Sequence, residues 1–187
     1  VRLLRFTPDQ SIDLIMIPDV LNHVNDIFEH EDSYSLIPGL IFISYVYELN
    51  FEVPNFYYKG IIDVLADTED SLCRKQSLRT ISKMSYRNNS LIPHFIKYGF
   101  IMAIQSAIEK GQYKDKLEIG FTACNIFDQN IAEVTNRVLA THSIGLFLTL
   151  IDFDDEELNK HALFCMYNVF QEAENIGRVD ELMEPFI

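Results

Sequence analysis

Apolar residues along this chain recur at spacings of three and four far more often than they alternate, which marks amphipathic helices and not half-buried strands. In Leu158 to Phe170, the set Leu158, Ala162, Cys165 and Val169 forms one stripe, so one face of that segment is expected to enter a core. Asp154 or Asp155 stands ahead of it as an N-cap, and Glu156 and Glu157 follow where negative charge meets the exposed N–H groups of a first turn. Phe100 to Ile108 is apolar almost all round, as suits a helix covered by neighbours on several sides. Gly99, Gly111 and Gly177 stand at the expected helix junctions, where a residue that tolerates positive φ is useful. Tyr45, Val46 and Tyr47 are the best strand candidates, yet the apolar run around them fits a buried helix. The expected class is all-α.

The helical pattern repeats. Pro54-Asn55-Phe56-Tyr57-Tyr58-Lys59-Gly60 and Pro93-His94-Phe95-Ile96-Lys97-Tyr98-Gly99 match in type and lie 39 positions apart. Ile62 and Leu65 follow the first glycine at the same distances as Ile101 and Ile104 follow the second. The spacing returns at Gly177 with Val179 and Leu182, and in weaker form at Asp19 with Leu21 and Val24. A second element, Phe121-Thr122-Ala123-Cys124-Asn125-Ile126-Phe127, recurs 43 positions later as Phe164-Cys165-Met166-Tyr167-Asn168-Val169-Phe170. Counted back by the same 43, Leu78 and Ser82 hold the corresponding places. This divides a single array, 1–187, into units of about 1–32, 33–69, 70–112, 113–153 and 154–187, the last one short between Phe170 and Gly177. Small helical units expose apolar surface on two sides and must stack to cover it. Because the chain opens at Val1 without an initiator Met, further units are expected ahead of it.

Charge refines the picture. The net charge of −13 disfavours nucleic acid and acidic lipid as partners, since both call for an excess of Lys and Arg. Residues 73–116 carry 9 basic and 2 acidic side chains, whereas 1–72 and 117–187 each carry 3 basic and 13 acidic ones, so a basic band lies between two acidic ends. Cys73, Cys124 and Cys165 are an odd set embedded in apolar patterns, which points to reduced thiols and a cytoplasmic or nuclear setting. No apolar run is long enough to cross a bilayer, so no membrane insertion is expected.

At Asp154-Asp155-Glu156-Glu157-Leu158 through Ala162, Phe164 and Asn168, the order resembles an armadillo repeat of the importin-alpha and beta-catenin class, with HEAT repeats second. Phe121 with Asn125 and Phe164 with Asn168 keep the aromatic-to-Asn spacing of that family, although this chain has no Trp. The resemblance implies a right-handed α-α superhelix of four to five stacked units, the terminal ones incomplete. It also implies a non-catalytic scaffold or adaptor whose concave groove binds an extended protein segment. The residues so marked are Phe121, Asn125, Phe164 and Asn168, with Ser82, Lys75 and Arg79 at or beside the matching place in the third unit. Asn125 and Asn168 can alternatively bond a neighbouring repeat. The basic middle departs from the acidic groove that importin-alpha-like binding of basic transport signals would want, and favours a partner segment of acidic or mixed charge. A structural subunit that meets a folded partner through charged outer or end surfaces is the competing reading, and exposed end helices offer a route to a homo-oligomer.

Nothing converges as a catalytic set. The five His residues lack a metal-ligand pairing, and His23 and His30, which share a face with Asp26 between them, suit a solvated acidic helix. Neither a phosphate-cradling glycine loop nor a Gly-x-Ser-x-Gly turn occurs. The carboxylate run Asp152 to Glu157 has no calcium-loop spacing and reads as a helix start. The expectation is a protein that is not an enzyme and carries no cofactor or metal.

Overall fold

A computed structural model describes residues 23–24, 26–28, 33–48, 56–129 and 131–183, and no strand occurs among them. The helices are α1 (Ser33–Glu48), α2 (Phe56–Asp67), α3 (Ser71–Arg87), α4 (Ile92–Lys97), α5 (Phe100–Lys110), α6 (Tyr113–Asp128), α7 (Ile131–Thr141), α8 (Gly145–Ile151), α9 (Glu156–Asn175) and α10 (Val179–Met183), with a 3-10 turn at Asn89–Leu91. The class is all-α, and Tyr45, Val46 and Tyr47 lie within α1.

Local chemistry sets the boundaries. Asp70 caps α3 by accepting from the N–H groups of Leu72 and Cys73, and Asp155 caps α9 by accepting from that of Leu158. Gly99 at φ +100° turns α4 into α5, and Gly177 at φ +70° ends α9. Gly111 differs from expectation: its φ is −74°, and glycine is needed there because a Cβ would sit 2.9 Å from the Ala107 carbonyl oxygen. The 39-residue motif also folds in two ways. His94 to Lys97 forms a separate short helix before Gly99, whereas Phe56 to Gly60 runs unbroken into α2; Pro54 and Asn55 lie outside the described residues. So do Asp19, Leu21 and His30, while Val24 is buried and His23 is exposed.

The four long helices pack in chain order, α1 on α3, α3 on α6 and α6 on α9. The shorter helices fill the other side of this row: α2 packs on α3 and α5, α5 on α6, and both α7 and α8 on α9. Rungs of hydrogen bonds join neighbours at nearly constant separation. Thr80 Oγ1 donates to the Leu40 carbonyl, Ser106 Oγ to that of Ala66, Cys165 Sγ to that of Cys124 and Asn168 Nδ2 to Asp128 Oδ1, spanning 40, 40, 41 and 40 residues. Lys110 Nζ reaches the carbonyls of Ala66 and Asp67, where a cation complements the C-terminal end of α2. The core is continuous along the row. Phe127 of α6 lies 6.1 Å from Phe100 of α5 and 5.6 Å from Phe147 of α8, centroid to centroid, and all three rings are fully buried. Each such burial contributes about 1.5–3 kcal/mol. Leu158, Ala162, Cys165 and Val169 are buried together as the inner stripe of α9. No helix comparable to α4 or α7 lies between α9, which ends at Asn175, and α10, which follows a turn at Gly177.

Candidate functional site

The capped starts of α3 and α9 fix the rotation of those helices, and Asp115 ties α6 to α3. Asp115, whose side chain is only 8% exposed, accepts from Lys75 Nζ at 2.7 Å and from Ser71 Oγ at 2.6 Å. Those two hydrogen bonds, aided by the Lys75 and Arg74 charges and opposed by burial, hold its carboxyl below the usual range. Arg79 Nε lies 3.3 Å from Glu118 of α6, and Lys83 Nζ lies 2.6 Å from Glu48 of α1 and 5.6 Å from the centroid of the Tyr45 ring. Three of the five basic residues of α3, Lys75, Arg79 and Lys83, are therefore matched to carboxylates on the two neighbouring helices. Charge complementarity that the sequence assigns to a partner is already met inside the molecule at these three places.

The repeated aromatic and Asn positions fall on the α6–α9 seam and beside it. Phe121 is half-buried, with its ring edge-on to His161 of α9 at 6.0 Å. Asn168 donates across the seam to Asp128, so its amide is engaged with the adjacent helix. Asn125 is exposed, and its backbone carbonyl accepts from Gln129 Nε2 at 2.9 Å. Phe164 is 53% exposed, and Ser82 is half-buried one turn beyond Arg79 on α3. The seven residues marked by the sequence thus lie on three consecutive helices, but four of them, Lys75, Arg79, Phe121 and Asn168, spend their side chains on the seams. Tyr86 of α3, 86% exposed, belongs to the same helix and was not marked by any repeat.

Cys124 and Cys165 are buried neighbours across the same seam. The neighbouring Cys124 side chain and burial both push the Cys165 thiol well above its ordinary value, so it stays protonated. The three thiols are free and buried. Among the described residues, no group of three or more His, Cys, Asp or Glu is arranged to hold a metal ion. A depression of about 380 Å³ lies between the start of α3 and the end of α2, lined by Phe28, Leu36 and Val64 with Asp63, Asp67, Glu69 and Asp70. Three of its carboxylates already have work: Asp63 meets Lys59, Glu69 meets Lys110, and Asp70 caps α3. No single helix among the described residues is long and apolar enough to cross a membrane.

Comparison with known protein families, with characterised proteins and with solved structures yields no match.

Proposed function

We propose that the chain is a non-catalytic protein-binding scaffold of the armadillo type, and that it holds an extended segment of a partner along the strip shared by α3, α6 and α9. The observation that carries this reading is the row of side chains on successive helices, Tyr86 and Ser82 on α3 and Asn125 on α6, standing beside seams closed by the Lys75–Asp115, Arg79–Glu118 and Asn168–Asp128 pairs. An amide such as that of Asn125 can donate to and accept from the backbone of an extended peptide without reading its sequence. The exposed ring of Tyr86 offers flat apolar surface for side-chain stems. The partner segment best suited to this strip is mixed in charge, because Lys75, Arg79 and Lys83 are neutralised by Asp115, Glu118 and Glu48. The same pairing withdraws Glu118 and Glu48 from a basic transport signal, which makes that alternative the weaker one.

The reading is tested by selecting binders from a displayed library of extended ten-residue peptides and measuring their affinity by fluorescence anisotropy. Asn125→Ala and Tyr86→Ala are each expected to weaken the recovered peptides by roughly 1 kcal/mol, about fivefold in Kd, with helix content unchanged. Asn168→Ala should instead act on stability, through its bond to Asp128. Failure to recover binders, or affinities indifferent to both Asn125→Ala and Tyr86→Ala, would remove the strip as the site.

A further inference from the structure

We infer that the outer face of α9 is a docking site for a basic amphipathic helix belonging to a partner protein. The inference rests on the packing of α3, α6 and α9 and not on the peptide strip proposed above.

The 43-residue correspondence identifies what this face is. On α3 the positions Ser77, Leu78, Ile81 and Ser85 are all buried, and α6 packs on that helix. Their counterparts on α6 are Gly120, Phe121, Cys124 and Asp128, which α9 covers: Leu158 lies against Gly120, His161 against Phe121, Cys165 on Cys124 and Asn168 on Asp128. Their counterparts on α9 are Leu163, Phe164, Tyr167 and Gln171. Here the burial stops: Leu163, Phe164 and Tyr167 are 46%, 53% and 56% exposed. The face is thus the direct continuation of an interface used twice within the molecule, with its apolar residues grouped around the middle of a twenty-residue helix. Isolated apolar residues on a surface need no explanation, whereas a contiguous group at the position where helices are received does.

The same correspondence limits what can sit there. At the α6–α9 step, Gly120 leaves a notch that admits Leu158, whose Cδ2 lies 2.9 Å from where a Cβ would be. On α9 that place is filled by Leu163, so the incoming helix must present Ala, Gly or Ser where α9 presents Leu158. Charge selects further. Glu157 flanks the face at one end and Glu174 at the other, whereas Glu156 is already paired with Lys160, the exposed cation of this helix, at 2.6 Å. A second copy laid antiparallel about the helix midpoint would set Glu157 against Glu174, like charge on like. A partner helix with Lys or Arg at its flanks meets the same carboxylates with opposite sign, and this complementarity selects a basic helix over a second copy.

The test uses the 187-residue chain and two fluorescein-labelled helical peptides. Both carry the same Leu/Ala stripe with Ala at its centre, flanked by Lys in one peptide and by Glu in the other. The Lys-flanked peptide should bind saturably and about tenfold tighter than the Glu-flanked one near physiological salt. Leu163→Ser and Tyr167→Ser, at exposed positions where circular dichroism should report an unchanged fold, should each weaken it about tenfold. Asn125→Ala and Tyr86→Ala should leave it unchanged, which separates this site from the peptide strip. No binding, equal binding of the two peptides, or binding indifferent to Tyr167→Ser would overturn the inference. Sedimentation of the chain as a dimer that Tyr167→Ser converts to a monomer would overturn it too, by making a second copy the occupant.

Discussion

Asp115→Ala tests the joint between α3 and α6. The substitution removes a carboxylate that is 8% exposed and that accepts from Lys75 at 2.7 Å and from Ser71 at 2.6 Å. A hydrogen bond to a charged group contributes about 1.5–3 kcal/mol. Breaking a buried ion pair from one side costs about 3–5 kcal/mol when the stranded charge has nowhere to go. Lys75 retains 29% exposure and can turn to water, which lowers the cost. Arg74, buried nearby with its Nη2 on the Thr68 carbonyl, cannot escape and loses a compensating charge. The expected loss at pH 7 is about 3 kcal/mol, or a fall in Tm of roughly 6–12 °C for a chain of this size. Urea denaturation followed by circular dichroism measures it directly. The pH dependence supplies a second check. The folded carboxyl titrates below its unfolded value, so the unfolded chain binds the proton first as acid is added. The contribution of Asp115 is therefore complete above the unfolded pKa of about 3.9 and disappears as the pH falls through the lower, folded one. The gap between the native chain and Asp115→Ala should narrow over that acid window and stay constant from pH 5 to pH 8. A gap under about 0.5 kcal/mol at pH 7, within the range of an ordinary surface substitution, would refute the reasoning.

Two glycines should respond with opposite sign in the same assay. Gly99→Ala forces an L side chain to φ +100° and should destabilise by about 1–2 kcal/mol, whereas Gly145→Ala, at an exposed helix start with open space around the new Cβ, should stabilise by up to about 1 kcal/mol. Asp155→Ala removes the cap whose carboxylate accepts from Leu158 N–H at 2.8 Å, and should cost about 1 kcal/mol by the same measurement. Cys73, Cys124 and Cys165 are buried, so a thiol reagent such as DTNB should leave all of them unmodified in the folded chain and titrate three in strong denaturant; rapid native labelling would contradict their placement.

The helical class and the long helix α9 were legible because their causes are local. The stripe from Leu158 to Val169 and the cap at Asp155 lie within one segment, and a three-to-four spacing is enough to read them. The 43-residue echo was legible for a different reason: Phe121 and Phe164 occupy the same place on two adjacent helices, although only Phe121 meets a following helix there, at His161. What spacing does not reveal is the residue some 40 positions away on the facing helix. Lys75 and Arg79 look free for a partner until Asp115 and Glu118 are seen opposite them, and Asn168 looks like a ligand group until Asp128 meets it. The Gly60 and Gly99 motifs match as strings yet play different parts, since Gly60 sits inside α2 with the Phe28 ring 3.2 Å from its missing Cβ. Tyr86 escaped notice because its counterparts 43 and 86 positions on are Gln129 and Glu172, so no echo marked it.

The nearly fixed length of the rungs between neighbouring helices bears on how such a chain can change size. Thr80 to Leu40, Ser106 to Ala66, Cys165 to Cys124 and Asn168 to Asp128 each tie a residue to one about 40 positions earlier, and each joins helices that touch. A gene segment encoding one whole block of that length can be copied or dropped while every surviving joint keeps the partner it had. An insertion of any other length inside a long helix would put several joints out of register at once. Deleting or duplicating one whole block is therefore expected to disturb only the two surfaces newly brought together.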